Sequence, residues 1–247
     1  MTRSKEVLMP LSPVHHRGWA TIEPGRLYYG GHIGAGDLHA HPAVQLMVGD
    51  ELILAGADGV EHTMTAALIP ANTPHAIVRD AAGVLLALID PAQAGRASHR
   101  PRTGSATAWR VDLDLPADRD LPTLQELVTS LTETAPPRPR HPALIRAAQI
   151  IEEMLPGRVR LGDVAAAVHL SESRLSHLFS GEFGLPFRPY VLWARLRVAL
   201  AAVSRGASLT EAAHTAGFAD AAHLTRTVHR MMGEAPSALA DGVRWLG

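Results

Sequence analysis

The stretch Leu209-Thr-Glu-Ala-Ala-His-Thr-Ala-Gly217, which runs directly into Phe218-Ala-Asp-Ala-Ala-His-Leu-Thr-Arg-Thr-Val228, has a degenerate twin earlier in the chain. The twin is Leu161-Gly-Asp-Val-Ala-Ala-Ala-Val-His169, continued as Leu170-Ser-Glu-Ser-Arg-Leu-Ser-His-Leu-Phe179. The copies lie 48 residues apart, 49 after a one-residue insertion in the second turn. Each reads as a short helix, a tight turn and a second helix. Ser208 and Glu211 have capping-box spacing. Gly217 suits a left-handed turn position, and Asp220 caps the helix that follows. In the first copy Ser171 is the cap, and His169 stands where Gly217 stands later; histidine is among the residues found more often at positive φ. Gly184 and Gly233 end the second helix of each copy. Residues 186–205 read as one long helix between them, with Tyr190, Val191, Ala194, Val198 and Ala201 on its inner side. Two helix-turn-helix units joined by a helix are the prediction.

In such a unit the second helix enters the major groove of DNA and its solvent-facing residues meet bases and phosphates. Leu175, Leu178 and Phe179 fall on the inner face of the first copy, leaving Ser173, Arg174, Ser176, His177 and Ser180 outward. In the second copy Leu224 and Val228 are inward, leaving Ala222, His223, Thr225, Arg226, His229 and Arg230 outward. The plainer alternative is a solvated face with no partner. Glu172, Glu182 and Asp220 lie close by, so the faces are not strongly basic.

Residues 142–239 resemble the DNA-binding domain of the AraC/XylS family of bacterial transcription regulators. The resemblance rests on Ser208-Leu-Thr-Glu-Ala-Ala through Ala216-Gly-Phe-Ala-Asp, on Leu224-Thr-Arg-Thr, on Gly233-Glu-Ala-Pro-Ser, and on Pro189-Tyr190-x4-Arg195-Leu196-x2-Ala199 in the joining helix. Leu224 and Val228 stand where the family usually has aromatics, and Ala240 where it often has arginine. The resemblance implies that Ser173, Ser176, His177, Ala222, His223 and Arg226 lie near bases. Arg226 then suits a guanine edge and Ala222 a thymine methyl, while Arg174 and Arg230 suit phosphates.

Upstream, Thr134-Ala-Pro-Pro-Arg-Pro-Arg-His-Pro142 cannot continue a helix or a central strand. It divides the chain into residues 1–135, a connector at 136–142, and a helical domain at 143–247 whose first helix carries Leu144, Ala147, Ala148, Ile151 and Leu155. The 247 residues carry 23 Lys+Arg against 24 Asp+Glu, with 12 basic and 15 acidic residues before His141 and 11 basic and 9 acidic from it onward. Lys5 is the single lysine. There is no cysteine, which excludes disulfides, thiolate metal sites and cysteine nucleophiles. No apolar run reaches the roughly 20 residues of a membrane span, and no signal-peptide pattern opens the chain, so a cytoplasmic protein is expected.

Before the connector the pattern is one of short apolar runs broken by turn residues. Strands are expected at 27–33, 44–48, 51–55, 66–70, 75–79 and 84–90, forming a small β-barrel or jelly roll. Leu124, Leu127, Val128 and Leu131 recur at helical spacing in a helix near 122–132 that starts at about Pro122, a stripe for packing on the barrel or for a homodimer contact. The His15-His16 pair reads as tail, and Arg96, Arg100 and Arg102 as a solvated loop. The fold class is thus two-domain α+β: a barrel followed by an all-α domain with two helix-turn-helix motifs.

His39-Ala-His41-Pro-Ala-Val-Gln45, followed by Pro70-Ala-Asn72-Thr-Pro-His75, resembles the H-x-H-x3-E and P-x-G-x2-H motifs of the cupin superfamily. Gln45 replaces the glutamate, Asn72 the glycine, and Arg79 stands where an asparagine is common. In a strand His39 and His41 face one side, and Gln45 shares their parity. The resemblance adds His75 to the set. Three imidazoles suit Zn²⁺, Ni²⁺, Co²⁺ or Cu²⁺, and loss of the carboxylate disfavours Mg²⁺ or Ca²⁺. The same residues equally suit a metal-free pocket for an organic effector.

Together these features predict a non-enzymatic transcription regulator. A cupin-like domain senses a metal or small molecule, and tandem helix-turn-helix units read two successive major-groove segments of promoter DNA. RNA polymerase is a further partner if the protein is an activator. The rivals are a cupin metalloenzyme with an accessory helical domain, and a barrel that serves only for dimerisation.

Overall fold

The computed structural model describes residues 17–95, 97, 103–133, 141–233, 235–236 and 242–246. The 134–140 part of the expected connector, His15, His16, Arg96, Arg100, Arg102 and Ala240 lie outside them.

Eight strands and seven helices order the described chain. The strands are β1 (Arg17–Glu23), β2 (Arg26–Ile33), β3 (Gly36–His39), β4 (Val44–Gly56), β5 (Glu61–Ile69), β6 (His75–Ile77), β7 (Ala81–Ile89) and β8 (Val243–Trp245). The helices are α1 (Leu121–Glu133), α2 (Pro142–Met154), α3 (Leu161–Ala167), α4 (Glu172–Leu178), α5 (Phe187–Ser204), α6 (Leu209–Ala216) and α7 (Ala221–Met232). A π-helical turn, Phe179–Phe183, extends α4 to Gly184 at φ 78°.

The strands pair in the order β3-β6-β4-β7-β2-β1-β8, with β5 paired to β4 off that path. This corrects the barrel expectation: the sheet is open, ending at β3 on one side and β8 on the other. Gly49-Asp50 does not separate two strands as expected. β4 runs through it, and the ladder to β5 absorbs the irregularity as a register shift between Val48 and Leu52. The first half of β4 pairs with β7 and the second with β6, so one bent strand serves both parts of the sheet.

A second correction concerns the C-terminal part, which is not all-α. After α7 the chain returns to the sheet, where β8 pairs in parallel with β1, placing Ala20 opposite Trp245. The peptide groups join in: Leu246 N–H donates to the Ala20 carbonyl at 2.8 Å and Gly18 N–H to the Gly242 carbonyl at 3.2 Å.

Both faces of the sheet are covered. On one, Tyr28, Val44, Leu46 and Leu85 pack with Leu124 and Val128 of α1, the stripe read from the sequence. On the other, Tyr29, Leu54, Leu86 and Leu88 share a cluster with Trp193, Leu196 and Ala199 of α5, Ala212 and Ala213 of α6, and Leu224 and Val228 of α7. The first helix-turn-helix instead closes around its own core of Leu144, Ile151, Leu175, Phe179, Phe183 and Tyr190. Helix α5 contributes to both cores and is the beam between them.

A buried polar knot joins this beam to the sheet. Asp90, just after β7, accepts hydrogen bonds from Ala92 N–H (2.8 Å), the Tyr190 hydroxyl (3.3 Å) and Trp193 Nε1 (3.2 Å). Arg197 Nη2 lies 3.2 Å from Oδ2, the oxygen that Trp193 also meets, and 2.5 Å from Glu152. Burial, and then the Asp90 charge, hold the Tyr190 phenol well above its usual pKa, so it remains a donor.

Candidate functional site

The two turns form as their residues dictate. Ser208 accepts from Glu211 N–H while Glu211 accepts from Ser208 N–H, completing the capping box. Gly217 sits at φ 74°, and its lack of a side chain is needed there: a Cβ would meet the Pro156 carbonyl oxygen at 2.1 Å. His169 adopts φ 57° at the equivalent place, where it is exposed. Ser171 and Asp220 cap α4 and α7 through the Arg174 and His223 N–H groups.

These caps set the rotation of the second helices. Leu175, Leu178, Leu224 and Val228 are buried. Ser173, Arg174, His177, Ser180, Ala222, Arg226, His229 and Arg230 are exposed, with Ser176, His223 and Thr225 half-buried. The outward sets read from the sequence therefore lie on accessible helix faces. Thr227, buried on α7, had no sequence signal.

The histidines of the other half also converge, but not along one strand as their parity suggested: His39 ends β3, His41 lies in the segment between strands and Gln45 is in β4. One ring nitrogen from each of His39, His41 and His75 lies within 4.8 Å of the others. Backbone supplies the orientation: His39 Nδ1 meets the Asp37 carbonyl at 2.7 Å, His41 Nδ1 that of Ala43 at 3.1 Å, and His75 Nδ1 that of Thr73 at 2.8 Å. A carbonyl only accepts, so each Nδ1 carries a proton, and the His41 and His75 rings, when neutral, present lone pairs at Nε2. The Gln45 Oε1 position stands between two of them, 2.6 Å from His41 Nε2 and 3.2 Å from His75 Nε2. Two lone pairs call for the NH₂ end of that amide, an orientation chosen by the hydrogen-bond network. Asn72, at the glycine place of the motif, takes φ 57°. Burial first, and His39 second, push His41 down to about 4; burial first, then His41 and His39, hold His75 well below 6.5. Both rings are neutral near pH 7.

Beside this trio opens a cavity of about 140 Å³ that the sequence did not announce. The sheet lines one side with Ala20, Tyr29, Ile33, Leu86 and Leu88, ending in His39, His41 and Gln45. The opposite wall is Ala199, Leu200 and Val203 of α5, Leu209 of α6, and Leu224 and Val228 of α7, while Val243 and Trp245 of β8 close a flank. The cavity is assembled from segments as far apart as Ala20 and Trp245, and no local pattern marks it.

The trio also touches α7 directly. Gly233, the C-cap of α7 at φ 74°, leaves no room for a Cβ, which would meet His39 Nδ1 at 2.8 Å and the Asp37 carbonyl at 3.1 Å.

An open sheet carrying two helix-turn-helix units defines a protein with a helix-turn-helix domain behind a sheet-rich domain. Residues 164–241 match the family described as "Helix-turn-helix domain". A search of curated protein sequences finds no match. Among solved structures, an apo lysine-to-alanine variant of ToxT from Vibrio cholerae aligns with a TM-score of 0.58 at 12% identity, over 87% of this chain and 96% of that one. Wild-type ToxT from Vibrio cholerae with an unsaturated fatty acid bound aligns at 0.56 and 14% identity, over 86% and 93%. ToxT bound to (E)-4-(8-methylnaphthalen-1-yl)but-3-enoic acid aligns at 0.56 and 11%, over 87% and 97%. At these identities the likeness is one of fold. Among the described residues, no helix is long and apolar enough to cross a membrane.

Proposed function

We propose that the protein is a sequence-specific transcription regulator whose DNA grip responds to an effector held between sheet and helices. The observation that carries this reading is the two-sidedness of α7. Leu224 and Val228 line the cavity, while Ala222, Arg226, His229 and Arg230 of the same helix face solvent. A molecule that presses on the inner face moves the outer one. DNA contact falls to Ser173, Arg174, Ser176, His177 and Ser180 in the first unit and to Ala222, His223, Thr225, Arg226, His229 and Arg230 in the second. The ToxT structures with bound organic acids support a small-molecule effector in this fold.

Fluorescence anisotropy on the DNA upstream of the protein's own reading frame, at two salt concentrations, tests the reading. Specific binding that is lost in Arg226→Ala supports it; equal affinity for any duplex sinks it. A metalloenzyme with a helical appendage leaves both exposed recognition faces unused.

A second reading rests on the convergence of the three histidines. His39, His41 and His75, with Gln45 as an oxygen donor after its amide turns, suit Zn²⁺, Ni²⁺, Co²⁺ or Cu²⁺, with the three backbone carbonyls as outer-shell acceptors. Such an ion would supply a fixed positive charge beside Gly233. Co²⁺ titration followed by its visible d–d bands checks this: bands in the wild type and none in His41→Ala or His75→Ala are expected, and no bands in the wild type overturn it.

A further inference from the structure

We infer that a molecule in the cavity between the sheet and α5–α7 regulates the second helix-turn-helix unit alone. It changes the hold of α7 on its half of the DNA site, and the hold of α4 on the other half stays as it is. The inference rests on the reading of this cavity as the effector site and names what occupancy of that site controls.

The walls are the first argument. On the helical side they come from the C-terminal end of α5, from Leu209 of α6, and from Leu224, Val228 and Met232 of α7. Among the described residues, α2, α3, α4 and the π-helical turn contribute nothing to the lining. The first unit closes instead on its own core, to which the sheet-rich half adds, among the described residues, only Ala92. A molecule in the cavity therefore touches the second unit and the sheet, and never the first unit.

The fastenings are the second. Asp90 ties α5 to the sheet by accepting from the Tyr190 hydroxyl and Trp193 Nε1, and Arg197 bridges Asp90 to Glu152 of α2. Hydrogen bonds weaken steeply with misalignment, and breaking a buried ion pair is costly. The knot thus holds sheet, α5 and the first unit together as one body. On the cavity side α6 and α7 present aliphatic side chains. Apolar contact is non-directional, and a wall beside a void lacks partner atoms on that side. These two helices can shift against the sheet without breaking a bond of the knot. Arg226 and Arg230 lie on the helix that shifts, whereas Arg174 and His177 lie on the body that stays.

The test is a thermodynamic cycle, read by fluorescence anisotropy, with the full chain on the DNA upstream of its own reading frame. The duplex is used intact and with either half of the site scrambled. The halves are assigned by which scramble silences His177→Ala and which silences Arg226→Ala. Leu27→Phe and Val203→Phe fill the cavity from the sheet and from α5, each from a half-buried position. Each is expected to change affinity about fivefold or more, the low end of coupling between two sites, on the intact duplex and with the His177 half scrambled. With the Arg226 half scrambled the effect is expected to vanish. If circular dichroism shows both variants unfolded, saturating toluene, a ring that a cavity of about 140 Å³ admits, fills the wild-type cavity in the same cycle. An effect that survives scrambling of the Arg226 half, or vanishes with the His177 half, overturns the inference and leaves the effector-responsive regulator standing. So does one scramble silencing both substitutions. No effect from the folded fillers, or from toluene where it replaces them, overturns the inference and the effector reading together, with specific DNA binding intact. A wild type that prefers no duplex sinks the regulator reading and the inference with it.

Discussion

Arg226 and Arg230 lie one turn apart on the exposed side of α7, yet their chemistry predicts different losses. Arg226→Ala should cost about 1–3 kcal/mol on the preferred sequence and relax one base position. Arg230→Ala should weaken all sequences alike and lower the salt slope of binding by about one ion. Competition binding across a single-base-variant panel distinguishes the two, and identical profiles would refute the assignment. Asp90 belongs to the interior: with four donors on one buried carboxylate, Asp90→Ala leaves Arg197 facing only Glu152. Removing one partner of a buried pair costs about 3–5 kcal/mol, and urea unfolding measures it.

His41 gives a pH signature. Its folded pKa, about 4, lies below the usual 6.5, so between these values the unfolded chain binds the extra proton. The stability due to neutral His41 is complete above pH 6.5 and falls as pH drops toward 4, by about 1.4 kcal/mol per unit. In EDTA-treated protein, His41→Gln should flatten that slope in chemical-denaturation curves; an unchanged slope places the proton uptake elsewhere.

At the scale of elements, the helices were legible and the sheet only partly so. Capping residues, Gly217 and the three-four spacing of Leu175, Leu178 and Phe179 are local signals, and helix α1 at Leu121–Glu133 followed from its stripe and from Pro122 at its start. Strands β1 and β3 were not anticipated, because Arg17–Glu23 and Gly36–His39 carry weak alternation and owe their state to neighbours in the ladder. Strand β8 is the extreme case: three residues beyond a helical domain become a strand because the edge of β1 offers unpaired peptide groups. Deleting residues 242–247 should expose that edge and the cavity flank, lowering stability by about 2 kcal/mol and promoting self-association. Calorimetry and sedimentation velocity would show it, and an unchanged melting curve would mean that the strand adds nothing to stability.

For the whole molecule, the shared core changes what the 1–135 and 143–247 division means. Tyr29, Leu86 and Leu88 are buried against Ala199, Leu224 and Val228, and α5 joins that core to the one around the first unit. One cooperative thermal transition is expected, with calorimetric and van't Hoff enthalpies equal; two separated transitions would contradict the coupling.

The sequence by itself determined the two helix-turn-helix units, the outward residues of their second helices, and the His39, His41, Gln45 and His75 set. Those features depend on neighbours within one turn of helix, one strand or one short motif, where residue type and spacing act directly. Tertiary structure alone decided that the sheet stays open, that β8 completes it, that Gly233 abuts His39, and that a cavity lies behind the second recognition helix. Each of these depends on surfaces contributed by distant segments. Their complementarity in shape and hydrogen bonding is a property of the packed chain and leaves no period in the sequence.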